Sequence, residues 1–298
     1  MYEMKQGRHH IIGTAIVAWA VVSLGMARAG GNYEPGLTLA PADTSAPGGG
    51  GASQEADASD LAKKTQNPVS DLISVPFQSN FNFGVGPDDD MQYVLNIQPV
   101  IPVKISEDWN LINRTIVPLI YQPTLAPGVG DEFGLGDIQY QGYFSPRNPG
   151  KWIWGAGPIL TFPTASDDSL GSEEWSAGPG LVALTMPGHW VVGGLINNVW
   201  SYGGWGDQDV NQMLIQPIIN YNLPKGWYLT SVPIITANWE ASSDDRWTVP
   251  VGGGGGKVFT IGKQPINTQL QAFFNVESPD AAGADWQLRF QFQLLFPK

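Results

Sequence analysis

The chain of 298 residues contains no cysteine. That absence removes disulfides, thiolate metal sites and thiol nucleophiles together. Charge is scarce as well: 14% of residues are ionic, against about 25% in an ordinary soluble domain. The net charge of -12 provides no basic footprint for nucleic acid. Histidine is nearly missing, since His9 and His10 belong to the N-terminal segment and only His189 lies beyond it. A lone histidine in a short turn cannot supply a base held against a nucleophile, so an enzyme is not expected. No cofactor is implied. The glycine run 252–256 lacks both the Lys-Ser/Thr ending and the strand–helix setting of a phosphate loop.

What the chain does have is glycine (37), proline (24) and tryptophan (12), a composition suited to many strands and tight turns. Its N-terminus has the anatomy of a secretory signal. Lys5 and Arg8 precede an apolar run from Ile11 to Gly25, and Ala27-Arg28-Ala29 offers a cleavage site before Gly30. The apolar run is shorter than the roughly 20 residues of a membrane-spanning helix. Export is therefore expected, with residues 1–29 removed. Residues 30–57 read as a disordered leader of Gly, Pro, Ala and Ser. Residues 58–72 open on a short helix, Ala58 to Gln66, with Ser59 as candidate N-cap. This is a candidate plug for whatever follows, or else a frayed spacer.

From 73 to 298 the chain repeats one unit, an extended run and a break. Twelve runs fall near 73–85, 90–104, 109–123, 134–145, 151–164, 174–186, 189–202, 209–222, 226–240, 246–260, 263–275 and 284–296. The last is the clearest. Trp286, Leu288, Phe290, Phe292, Leu294 and Phe296 share one face, and Gln287, Arg289, Gln291 and Gln293 share the other. The same alternation recurs in the first, second, eighth and eleventh runs. The Gly-rich fifth to seventh runs leave their facing open. Prolines 99, 118, 158, 179, 217 and 233 fall inside runs, where each should mark a bulge or bend, or a run drawn too long.

The breaks alternate too. Short turns (106–108, 146–150, 187–188, 224–225, 262–263) are followed in four cases by Trp109, Trp152, Trp190 or Trp227. Between them lie longer acidic loops. This pattern predicts an all-β fold, a transmembrane antiparallel β-barrel of about 12 strands in the outer membrane of a Gram-negative cell. A soluble exported β-sandwich, such as a lectin, is the alternative. It would carry Lys, Glu and Thr on its outer faces, where this chain has neutral amides. In the barrel the amides point inward. The expected lumen or solute path comprises Gln92, Asn96, Gln98, Arg114, Gln212, Gln216, Gln269, Gln287, Arg289 and Gln291. Amides offer hydrogen bonds to small neutral or weakly polar solutes, with little electrostatic selection. They could equally bond one another in a closed, structural or adhesion barrel that acts through its acidic loops. Those loops are either a solvated rim or an oxygen-only site for divalent cations. Arg289 reads as a lumen charge whose removal alters flux and leaves assembly intact. Expected partners are outer-membrane lipid and lipopolysaccharide, an unidentified solute, and the barrel-assembly machinery.

Segments 61–87 (LAKKTQNPVSDLISVPFQSNFNFGVGP), 93–102 (YVLNIQPVIP), 107–122 (EDWNLINRTIVPLIYQ) and 289–298 (RFQFQLLFPK) resemble a family of uncharacterised Gram-negative outer-membrane proteins. The family is labelled "transporter" or, misleadingly, "neuromedin U". It is similar to the barrels associated with meta-pathway phenol degradation, and more distantly to long-chain fatty-acid channels. The resemblance implies a porin-like transport role, with aromatic or hydrophobic solutes among those carried, and brings no site residues. One departure is that Pro297-Lys298 follow the terminal aromatic Phe296.

Overall fold

The computed structural model describes residues 50–125, 130–207, 209–280 and 283–297. The expected signal peptide and residues 30–49 of the leader lie outside them. Among the described residues, fifteen strand segments form one sheet. They are β1 (Ile73–Val85), β2 (Asp90–Ile97), β3 (Val100–Lys104), β4 (Trp109–Gln122), β5 (Glu132–Leu135), β6 (Ile138–Pro146), β7 (Ile153–Phe162) and β8 (Glu174–Thr185). They continue as β9 (Trp190–Gly204), β10 (Asn211–Asn222), β11 (Trp227–Ser231), β12 (Ile235–Asn238), β13 (Trp247–Ile261), β14 (Gln264–Glu277) and β15 (Trp286–Phe296). β2 with β3, β5 with β6, and β11 with β12 are broken halves of single staves, so the staves number twelve. Each is antiparallel to its sequence neighbours, and β15 pairs with β1 from Ile73↔Phe296 to Phe83↔Trp286. The sheet closes on itself. A closed barrel has no edge strand to protect, and the sandwich alternative is set aside.

The inside and outside follow from the alternation. On β1, Ser74, Pro76, Gln78 and Asn80 are buried, while Val75, Phe77 and Phe81 face out. On β10, Ile218, Asn220 and Asn222 are buried and Ile219 is exposed. The outer wall is apolar, and aromatic rings crowd both of its ends. Trp109, Trp152, Trp190 and Trp227 are exposed beside the short turns, and Trp175, Trp200, Tyr202 and Trp286 near the long loops.

The prolines act less uniformly than bulge markers. Pro99 and Pro233 fall in the breaks between β2 and β3 and between β11 and β12. Pro217 lies opposite the second break: β10 pairs with β12 up to Ile215↔Ile235 and with β11 from Ile219↔Ser231. Its missing donor therefore faces a gap in the ladder. Pro158 and Pro179 pair with each other across β7 and β8. The ladder on the far side of each skips residues, between Gln141↔Ile159 and Phe144↔Ala156, and between Ala177↔Trp200 and Gly180↔Asn197. Pro118 continues β4 without interruption. The strands absorb four of the six, because only one neighbour loses a bond at each.

Helix α1 runs Gly50–Thr65, beginning well before Ala58. Ser59 is therefore inside the helix and not at its cap. Ala, Gln and Glu in the stretch before Ala58 are good helix formers, which the compositional reading as a leader overlooked. The helix packs against the short turn Pro224–Gly226 and against β10, β11 and β13. Gly226 has φ +75, and a Cβ there would meet the Val258 carbonyl oxygen at 2.3 Å. Only glycine allows that turn.

Candidate functional site

All ten predicted lumen residues line internal cavities. Gln98, Arg114, Gln216, Gln269, Arg289 and Gln291 border a cavity of about 140 Å³ in the half of the barrel nearest the short turns. Gln92, Asn96, Gln212, Gln287 and again Arg289 border one of about 670 Å³ toward the long loops. A single water needs about 10–15 Å³, so both spaces are large enough for solute.

The amides do bond one another, but along the wall and not across the bore. Gln287 Nε2 donates to Asn82 Oδ1 (2.7 Å), Asn82 Nδ2 to Gln92 Oε1 (2.7 Å), and Gln92 Nε2 to Gln122 Oε1 (2.6 Å). This chain crosses four adjacent staves at one level, because the register sets Gln287 beside Asn82 and Asn82 beside Gln92. A second belt lies nearer the short turns. Tyr228 Oη donates to Asn267 Oδ1 (2.7 Å), Asn267 Nδ2 to Gln293 Oε1 (3.1 Å), and Gln269 Nε2 to Gln291 Oε1 (3.4 Å). Cross-strand side-chain pairing of this kind stiffens a sheet.

Across the lumen the wall is different. Ile112, Tyr143, Ile159, Val182, Leu195 and Val199 form a buried apolar cluster, with Val69 from the N-terminal segment packed on it. Four of these residues, Ile159, Val182, Leu195 and Val199, come from β7 to β9, the staves whose facing the sequence left open, with Ile112 from β4 and Tyr143 from β6. The lumen lining on these staves thus mixes apolar residues with the buried amides Gln141 and Asn197.

The N-terminal segment enters this space. Ala62 and Leu72 are buried against Tyr228, Val258 and Leu295. Gln66 and Asn222 exchange two side-chain hydrogen bonds, of 3.0 and 3.1 Å, and Lys63 Nζ donates to the Gly188 carbonyl (2.9 Å). Residues Lys64–Asn67 form part of the cavity floor.

The two inward guanidiniums are held by neutral groups. Arg289 donates to Asn80 Oδ1 (3.0 Å), the Val232 carbonyl (2.8 Å) and Gln287 Oε1 (2.9 Å), and lies 4.8 Å over the Phe273 ring. Arg114 donates to Gln98 Oε1.

Outside the membrane-facing wall, Asp137 organises the long loops. Its carboxylate accepts from the backbone N–H groups of Thr164, Ala165 and Ser172. Among the described residues, no group of three or more His, Asp or Glu could hold a metal ion. His189 sits in the turn before β9, its ring 5.8 Å from Tyr221.

No protein-family model matches the chain, and no curated protein matches it. Among solved structures, the COG4313 outer membrane channel from Pseudomonas putida F1 is similar in fold. It is 18% identical, with a TM-score of 0.58 over 76% of this chain and 94% of that one. The beta domain of the Bordetella autotransporter BrkA (12%, TM-score 0.44, 76% and 100%) and the CymD monoaromatic hydrocarbon channel (11%, 0.37, 84% and 94%) are looser likenesses. A closed, even-staved barrel with an apolar exterior and aromatic rings at both ends completes the case. The chain is an outer-membrane β-barrel. Its lipid face is thereby fixed, and a pair of substitutions checks it. Phe290→Arg places a charge in mid-wall against lipid and is expected to cost about 2–4 kcal/mol. Gln291→Arg, one residue on but facing the cavity, should cost far less. Urea titration in liposomes reads both, and equal costs would contradict the assigned facing.

Proposed function

We propose that this outer-membrane barrel is a passive channel for small, weakly polar organic solutes. The observation that carries the reading is that two cavities adjoin inside the barrel, with Gln78 and Arg289 bordering both the upper one, toward the long loops, and the lower one, toward the short turns. A solute would enter among the long loops and travel with its polar group on the amide belts. Its apolar body would lie toward the opposite wall. The N-terminal segment closes the lower cavity and must be displaced for passage, which makes it the gate in this reading.

Purified protein in planar bilayers is expected to give discrete conductance steps. Liposomes containing it should take up small uncharged solutes faster than empty ones. A silent barrel with no solute uptake would defeat the proposal. The second reading is a closed structural or adhesion barrel acting through its acidic loops. It draws support from the apolar cluster around Ile112 and Val182, which fills part of the bore. It predicts silence in the bilayer and loss of surface binding when the loops are shortened.

A further inference from the structure

We infer that the lower cavity is an anion site whose ligand is a small monocarboxylate with an apolar body. This deepens the channel reading, on which its meaning for transport rests. Although the protein carries a net charge of -12, among the described residues no acidic side chain lines either of these two cavities, the carboxylates of Asp71, Glu107 and Asp245 bordering adjoining spaces. The lower cavity collects three cationic side chains instead: Arg114, Arg289 and Lys64.

Arg289 is 2% exposed, and among the described residues no carboxylate lies within ion-pair distance of it or of Arg114; the ion pairs there belong to Glu107 with Lys104 and Arg147. A buried charge without a counter-charge is costly to hold in place. The neutral oxygens around Arg289 solvate three of its N–H groups and supply no negative charge. Beside it, in register, stands Gln271. Its Oε1 accepts from the Val232 N–H at 3.1 Å, while its Nε2 is buried without a hydrogen-bond partner. A buried donor of this kind leaves free energy to be gained by an acceptor. The cavity thus presents unspent positive charge and an unused amide donor on one side.

Several points select a carboxylate. A guanidinium fork matches its two oxygens better than it matches a spherical ion. The same cavity also has apolar lining, Leu72, Ile218 and Val232 among it, and an inorganic anion would leave that surface unused. The volume, about 140 Å³, suits a compact molecule.

Benzoate is the probe, with benzamide as its neutral counterpart. The full mature barrel in detergent is titrated calorimetrically with each. Benzoate is expected to bind, benzamide to bind roughly ten- to hundredfold more weakly, and the Arg114→Gln/Arg289→Gln double variant to lose benzoate affinity by a similar factor. If the double variant does not fold, Arg114→Gln alone should weaken benzoate severalfold, since among the described residues the Arg114 guanidinium bonds Gln98 alone. Equal binding of the two probes, or benzoate affinity unchanged in the variant, overturns the inference. Bilayer recordings separate this from the channel reading. A conducting barrel whose reversal potential in a salt gradient shows no anion preference overturns the anion site while leaving the channel. A silent barrel that still binds benzoate upholds the site and removes the channel.

Discussion

Removing residues 47–66 from the mature protein is expected to raise its conductance severalfold. The segment is anchored at three points: the buried Ala62 against Tyr228 and Val258, the Lys63 bond to Gly188, and the paired Gln66 and Asn222 amides. None of the staves depends on it for ladder bonds, so the barrel should still assemble and shift its mobility on heating. A milder version is Asn222→Ala. Of the three side-chain bonds lost, one goes to the His189 carbonyl within the barrel; the two to Gln66 are worth about 2 kcal/mol of net stabilisation to the seated segment. That corresponds to roughly a thirtyfold shift in a two-state equilibrium between seated and displaced segment. The variant should therefore flicker open more often, with the same open-state conductance as the deletion. An unchanged open fraction in Asn222→Ala, together with an unchanged conductance in the deletion, would mean the segment does not close the path.

Strand facing was legible in the sequence wherever polarity itself alternates. On β1, β10, β14 and β15, glutamine and asparagine step against phenylalanine, leucine and isoleucine. Gln78, Asn80, Asn220, Asn267, Gln271 and Gln293 are buried while Ile219, Leu270, Phe274 and Phe290 are exposed, although Ile266 is buried on the face expected to meet lipid. The reading fails where both faces are apolar or small. Leu181 is exposed and Val182 beside it is fully buried, yet nothing in their chemistry distinguishes them. The inward apolar cluster of Ile159, Val182, Leu195 and Val199 is not legible for that reason. Tyr228, which anchors the lower amide belt, was missed although a signal existed: it is the buried member of the Trp227-Tyr228-Leu229 alternation. Gln122 was missed because it ends its strand, and only register with Gln92 shows it completing the upper belt. The helix start was misplaced because glycine and alanine were counted as leader composition, with no weight given to the tertiary surface that α1 meets.

Arg289→Ala is expected to do two things at once, and a second substitution separates them. Alternation alone gives Arg289 as a free lumen charge that can be removed without harm to the barrel. The three hydrogen bonds say otherwise. The Val232 carbonyl sits where the ninth stave breaks between β11 and β12, and Arg289 Nη1 and Gln271 Oε1 together hold that residue from the neighbouring wall. Alanine leaves the carbonyl and the buried Asn80 amide oxygen without this donor, a loss of about 2 kcal/mol. It also opens a space beside the Phe273 ring. The urea midpoint should fall, and any anion preference should fall with it. Arg289→Lys retains the charge, but one ammonium cannot reach three acceptors set around a planar fork. It should recover the reversal potential of the wild type while recovering only part of its stability. If lysine restored both in full, the guanidinium geometry would be irrelevant and Arg289 would act as a point charge. If lysine restored neither, the ninth-stave break would be the whole role of Arg289, and its charge would have no part in selecting what passes.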